Sequence, residues 1–306
     1  MIEASACAKA ILFGEHAVVY GMPAIAVPVS DLRAFASVQP SAGGLHIASG
    51  DLRIPVDVDA ESVDNALALT ARLTLKALNA PPPDALITIR SDIPIASGLG
   101  SGAAVSTALA RAICQAVGQP LDEAALNRVI YEVEKIHHGT PSGIDNTVIV
   151  YERPVYFVRG LPIETLTIGK PFTLLIADTG VSASTKAAVA AVRELYERDP
   201  QNVRMLLRYI RRKVWIARQA LAVGDLAKIG TMMAINHDVL RRLTVSSPEL
   251  DALVDAAMRA GALGAKLSGG GRGGTMIALV TPASCEQVSA ALQSAGAVRV
   301  FRTVVG

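Results

Sequence analysis

A chain of 306 residues, 51% of them hydrophobic, has the material for one large or two ordinary domains with a sizeable core. Its 29 basic and 27 acidic residues leave a net charge of +2, too balanced to imply a nucleic-acid partner. No apolar run reaches the ~18–20 residues needed to span a bilayer, and no basic region precedes an apolar stretch at the N-terminus, so no membrane partner and a cytoplasmic location are expected. Cys7, Cys114 and Cys285 are odd in number, far apart and set in apolar surroundings, which reads as buried thiols in a reducing compartment.

In chain order, residues 5–19 read as strand material broken at Gly14, with a turn at Gly21-Met22-Pro23. Residues 24–29 and 33–38 read as two further short strands. A helical run covers 60–78, and 85–93 alternates apolar and polar as a half-buried strand does. Helices are expected over 101–117, closed by Gly118 and Pro120, and over 121–138, with Asp122 near the start and Gly139 at the end. Residues 148–158 return to strand. The pattern changes after Gly169-Lys170-Pro171, where the boundary of two domains is expected. A strand at 172–177 is followed by helices near 184–198, 202–223, 224–243 and 248–260. Strands at 265–268 and 275–280 flank a glycine-rich loop, and a helix (285–294) and a last strand (298–304) complete the chain. Strands mixed with helices in both halves imply an α+β protein.

Four segments carry chemistry. Pro94-Ile95-Ala96-Ser97-Gly98-Leu99-Gly100-Ser101-Gly102-Ala103-Ala104 is a loop of glycines and serines leading into a run of helix formers. Glycines let successive N–H groups face one point, and the helix start adds unpaired donors and roughly +0.5 of partial charge. Together these form a phosphate cradle; a plain helix start with a flexible lead-in is the alternative. No lysine follows, so the loop is not a G-x-x-x-x-G-K-[ST] loop.

In the second segment, Glu134 follows Leu126 and Ile130 at helical spacing, so its acid lies on or beside an apolar face. Mg²⁺ shared with phosphate oxygens would partner one carboxylate there, and an ion pair would do as well. Asp145 follows a Pro-Ser-Gly turn, which either presents a carboxylate into a cleft or caps locally. In the third, Lys9 sits on one strand face with Ile11 and Phe13, as an edge gatekeeper or as a cation held near a carboxylate or phosphate. Glu15 and His16, just past Gly14, are placed to hydrogen-bond a polar substrate. In the fourth, Lys266-Leu267-Ser268-Gly269-Gly270-Gly271-Arg272-Gly273-Gly274 lies between two strands as a second loop. Ser182-Ala183-Ser184-Thr185-Lys186 opens a helix with hydroxyls, for capping or for contact.

These motifs, in this order, resemble those of the GHMP small-molecule kinases, a superfamily that includes galactokinases, homoserine kinases, mevalonate kinases and phosphomevalonate kinases. Lys9–Gly21 is most similar to the first motif of the mevalonate kinases; galactokinases diverge at Ala17-Val18. The 98–104 and 266–274 segments match the second and third motifs, and 138–146 matches the segment holding the catalytic acid.

The resemblance implies an N-terminal domain with a left-handed βαβ unit (residues 1–170) and a ferredoxin-like C-terminal domain (171–306). It implies phosphorylation of the 5-hydroxyl of (R)-mevalonate by ATP, with Mg²⁺, in isoprenoid precursor synthesis. It assigns Asp145 and Lys9 to catalysis and Pro94, Ser97, Gly98, Leu99, Gly100, Ser101, Gly102 and Ala103 to ATP. It assigns Glu15, His16, Asp145, Thr185 and Gly270 to the substrate, and Ser101 and Glu134 to the metal; Arg272, outside the family pattern, is expected to contact the substrate carboxylate or a phosphate. Three positions depart from the pattern: Gly102 replaces a second serine, Ala183 an arginine of some members, and Arg272 a glycine. A kinase for another small alcohol such as phosphomevalonate, or a non-catalytic ligand sensor on the same scaffold, is the alternative, and a homodimer is left open. Arg208, Arg211, Arg212 and Lys213 read as a solvated helix face and not as a nucleic-acid patch.

Overall fold

The computed structural model describes residues 2–50, 52–55, 65–138, 141–182 and 184–306. The chain opens with β1 (Ile2–Phe13), a 3-10 turn (Ala17–Tyr20), β2 (Ala24–Pro40), β3 (Leu45–Ser49), β4 (Leu52–Pro55), α1 (Ala66–Leu78) and β5 (Ala85–Ser91). Then come α2 (Ser101–Val117), α3 (Glu123–His138), α4 (Ile144–Tyr151), β6 (Val155–Phe157), β7 (Glu164–Thr165) and β8 (Phe172–Asp178). The helices α5 (Thr185–Arg198), α6 (Pro200–Val223), α7 (Leu226–Arg242) and α8 (Pro248–Arg259) lead to β9 (Gly264–Ser268), β10 (Thr275–Val280), α9 (Cys285–Ser294) and β11 (Arg299–Val305). The fold is mixed α+β and divides into two compact units.

The first unit gathers Met1–Ala8, Leu32–Pro94 and Gly100–Glu152. In it the far half of β2 pairs antiparallel with β5, and β5 pairs in parallel with β3. Parallel neighbours need a crossover, and α1 supplies it, giving a βαβ unit. The helix α2 is cut from small residues, and Ala103, Ala104, Ala108, Ala110 and Ala112 are all buried. Side chains this short let neighbouring elements approach closely while Leu109 and Ile113 fill the core beside Ile130 and Val133 of α3.

The second unit gathers Lys9–Asp31, Ile95–Leu99 and Arg153–Gly306. Its main sheet has the order β11-β8-β10-β9, antiparallel throughout. Numbered by strand, that is the 4-1-3-2 order of a ferredoxin-like sheet, with four helices in the first crossover and α9 in the second. Strands β9 and β10 are buried on both faces. α7 lies against β9 at a glycine pair: a Cβ on Gly230 would collide with Leu263 O, and one on Gly264 with Gly230 O.

Several elements differ from the sequence reading. Residues 17–19 form a 3-10 turn and not strand, because the chain turns at Gly14 (φ 98°) and His16 (φ 60°). The two strands expected at 24–29 and 33–38 are one continuous strand. The strand expected from 148 is a helix to Tyr151, with only Val155–Phe157 extended. The β-branched Val148, Ile149 and Val150 are all buried, so an apolar run without alternation fits a buried helix as well as a strand. The short strands β3, β4 and β7 carry no clear periodicity in the sequence. Of the helix expected over 60–78, positions 60–64 lie outside the described residues, as do Gly139 and Ala183.

Candidate active site

In the second unit four segments converge around two glycine-rich turns. Lys9, in the second half of β1, is 2% exposed; its Nζ donates to Gly98 O at 2.8 Å and its N–H to Leu99 O at 3.0 Å. One of the three donors of its cation is thus placed on the carbonyl face of the 95–99 loop. On the other side of that loop, a Cβ built on Gly269 would lie 3.5 Å from Gly98 Cα, so the two glycine-rich loops run backbone to backbone. Thr275 Oγ1 donates to Ser97 O at 3.1 Å, and Ser268 Oγ bridges Ile11 N–H and Ile11 O at 3.0 and 3.1 Å.

The backbone of the 95–99 loop alternates in hand. Ala96 (φ 57°) and Gly98 (φ 83°) are left-handed, and the pattern continues at Gly100 (φ 76°), where the chain enters α2. Alternating right- and left-handed residues turn successive N–H groups to one side and form an anion-binding concavity. A left-handed alanine is strained, and such strain collects at functional sites. Leu99 is buried and anchors the loop, whereas Gly102 is exposed at the first turn of α2.

The 269–274 loop is laced to its surroundings. Gly274 O accepts from Thr179 N–H at 2.9 Å and Thr179 Oγ1 at 2.8 Å, and Gly274 N–H donates to Val181 O at 2.8 Å. Arg272, left-handed at φ 61°, donates its N–H to Val245 O at 2.8 Å and its Nε to Thr244 O at 3.2 Å. Thr185 opens α5, which Ser184 caps by accepting from Ala187 N–H, and a Cβ on Gly270 would stand 3.1 Å from Thr185 Oγ1. His16 Nε2 donates to Gly270 O at 2.8 Å. Burial pushes the His16 ring down to about 4, opposed by the Gly270 bond and aided by the Arg272 charge. The ring is therefore neutral near pH 7, with its proton on Nε2 and a lone pair on Nδ1.

Behind His16 lies a pairing of two motif residues that the sequence reading did not bring together. The Glu15 carboxylate, wholly buried, pairs with the ammonium of Lys266, also wholly buried. Lys266 Nζ also donates to Leu267 O at 2.6 Å, and Asn236 Nδ2 donates to Glu15 Oε2 at 3.3 Å. Burial raises Glu15 and lowers Lys266, each opposed by the partner's charge. His237 Nδ1 accepts from Leu267 N–H, and His237 Nε2 donates to Asp251. The signal available in the sequence was a charged residue, Lys266, amid an apolar strand; Asn236 and His237 gave none.

In the first unit, Ser101 opens α2, Glu134 is buried on α3 at 3% exposure, and Asp145 stands half-buried in the first turn of α4. Helix α4 starts at the left-handed Gly143, whose carbonyl accepts from Thr147 Oγ1 at 2.6 Å. Asn146 Nδ2 donates to Asn127 Oδ1 at 2.6 Å, tying the first turn of α4, next to Asp145, to α3. Asp145 thus belongs to a helix N-terminus, a favourable place for a carboxylate, and not to a turn leading into a strand. A buried carboxylate and a hydroxyl at a helix start are hard oxygen donors of the kind Mg²⁺ takes together with phosphate and water, so Glu134 and Ser101 fit that ion. Among the described residues, no group of three or more His, Cys, Asp or Glu could hold a metal alone.

The family model for the GHMP kinases N-terminal domain matches residues 65–153, and the model for the GHMP kinases C-terminal domain matches 217–298. The chain belongs to the GHMP kinases. It is 36% identical to a mevalonate kinase of Thermococcus sibiricus over 99% of this chain and 96% of that protein. It is 35% identical to a mevalonate kinase of Pyrococcus horikoshii over 99% of this chain and 95% of that protein. Among solved structures, mevalonate kinase of L. major in complex with R-mevalonate superposes with a TM-score of 0.86 at 29% identity, covering 100% of this chain and 96% of the other. As a GHMP kinase, the chain carries the α+β fold and the phosphotransfer class expected from its motifs. No helix among the described residues is long and apolar enough to cross a membrane.

Proposed function

We propose that this GHMP kinase transfers the γ-phosphoryl group of ATP to the 5-hydroxyl of (R)-mevalonate. The observation that carries the reading is the full-length similarity to mevalonate kinases, which spans all the motifs described above. In functional terms residues 1–170 supply the phosphate loop and the acid, and 171–306 supply the second glycine-rich loop. The reaction belongs in the cytoplasm, where ATP is supplied, and the three cysteines are free thiols among the described residues.

In this mechanism the N–H groups of Ser97–Ala103 and the start of α2 hold the ATP phosphates, with Pro94 setting the loop's entry. Ser101 and Glu134 would hold Mg²⁺, which when bound neutralises the charge on the phosphate oxygens. Asp145 orients the mevalonate hydroxyl and takes its proton. The hydroxyl oxygen forms a bond to Pγ as the bond from Pγ to the β-phosphate oxygen breaks, and ADP leaves. Lys9 stabilises charge on the attacking oxygen. His16 offers its Nδ1 lone pair to a substrate hydroxyl, beside Thr185 and Gly270, while Glu15 acts from behind. Arg272, the one non-glycine at its turn, contacts the mevalonate carboxylate.

A coupled ADP-release assay across mevalonate, phosphomevalonate, galactose and homoserine tests the reading. Mevalonate is expected to be preferred; a preference for phosphomevalonate would overturn it. In the same assay Asp145→Asn is expected to lose ~10²–10⁴ in kcat while ATP still binds, and a loss under tenfold removes the base role. Arg272→Ala is expected to raise the mevalonate KM, and unchanged constants would remove its substrate contact.

A further inference from the structure

We propose that Lys266 is a positioning residue for the kinase reaction, holding His16 in the site through Glu15. The inference rests on the mevalonate kinase reading for its kinetic arm and on geometry alone for the rest. His16 has φ 60° and ψ −41°, outside the basins open to an L-residue with a side chain. Its neighbour Gly14 has φ 98°, with no room for a Cβ against Ala24. A turn strained at His16 persists only where its surroundings over-determine it.

The Glu15 side chain is the restraint. It is buried, it points away into the ammonium of Lys266, and Asn236 holds its second oxygen. The same ammonium donates to Leu267 O, two residues before the 269–274 loop that carries Gly270. His237 accepts from Leu267 N–H, so both backbone polar groups of Leu267 are held by side chains. One buried cation thus fixes two strands of chain at once: the turn that carries the His16 ring and the loop whose Gly270 carbonyl that ring binds at 2.8 Å. Nothing in the pair needs to touch substrate. Its role is to set the distance and angle between His16 Nε2 and Gly270 O, and so the direction of Nδ1.

The test is the double variant Glu15→Gln with Lys266→Met in the full chain. It removes both charges together and leaves no uncompensated ion in the core, so folding is expected to survive, checked by thermal unfolding. Side-chain NMR of ¹⁵N-histidine reads the geometry directly. In the parent the His16 Nε2–H exchanges slowly and the ring stays neutral to about pH 4. In the variant that resonance is expected to be lost and the ring to titrate closer to 6.5. An unmoved His16 signal overturns the proposal, whatever alcohol the enzyme phosphorylates. Kinetics supply the second arm: the mevalonate KM is expected to rise at least tenfold with the ATP KM within threefold. Added to His16→Ala, the double change is expected to cause no further rise, whereas additive losses would mean a merely structural pair. A parent that is silent on mevalonate leaves the NMR arm to decide. If the double variant does not fold, Glu15→Gln alone, which changes one atom, is expected to move the His16 signal in the same direction, and an unmoved signal there also overturns the proposal.

Discussion

At the scale of single residues, the site depends on side chains whose charge state is set by burial. His16 is 5% exposed and its ring is held down at about 4, against an ordinary 6.5. A folded value below the unfolded one means that the unfolded chain binds the proton more readily between those two pH values. The stability this contributes is complete above pH 6.5 and is lost as pH falls through 4, about 3 kcal/mol at ~1.36 kcal/mol per unit. Urea unfolding at pH 7 and pH 4 is expected to show a smaller acid loss in His16→Gln than in the parent, and equal losses would show that His16 does not set it. Lys9 and His16 were legible in the sequence because a cation inside a strand and a histidine beside a glycine turn are both unusual. The partners of Glu15 were not legible: Lys266 lies 251 positions away along the chain, and only the packing of β9 brings it there.

At the scale of elements, α4 shows why pattern alone misread the segment that follows Asp145. Its core residues are β-branched and all buried, so no polar face marks the helical period. What ends the helix is tertiary: Arg111 of α2 donates to Val150 O at 2.9 Å, to Ser5 O at 2.7 Å and to Glu152 at 2.6 Å. Arg33 reaches the same Glu152 carboxylate at 3.0 Å, and Glu152 itself is left-handed at φ 46°. Arg111→Ala leaves two carbonyls and a shared carboxylate short of donors in a partly buried place. It is expected to cost about 2 kcal/mol in urea unfolding, charge-assisted bonds being worth ~1.5–3 each. Arg111→Lys is expected to recover only part of this, since an ammonium cannot bridge three acceptors as the guanidinium fork does; full recovery would show that charge alone matters. By contrast α2 was legible to the residue, because Gly100 and Gly118 bracket it in left-handed conformations and small helix formers fill it.

At the scale of the whole molecule, no group of three or more His, Cys, Asp or Glu among the described residues could hold a metal ion alone, and Mg²⁺ as proposed would share one protein carboxylate with substrate phosphates. A chelator is therefore expected to abolish turnover while shifting the thermal midpoint by less than about 2 °C, with Mg²⁺ restoring activity; a large drop in the midpoint would reveal a structural ion instead. The sequence by itself determined the family, the four motifs and the α+β class. Each of those is carried by local signals: glycine spacing, a helix start after a serine, a charged residue amid apolar neighbours. Only the tertiary structure decided which of those residues act together. It set Lys9 on Gly98, His16 on Gly270, and Glu15 on Lys266, and it turned residues 148–151, just after Asp145, from strand to helix. The reason is physical: a buried hydrogen bond or ion pair is fixed by which backbones approach, and elements far apart in the chain set that approach through packing, which no local periodicity records.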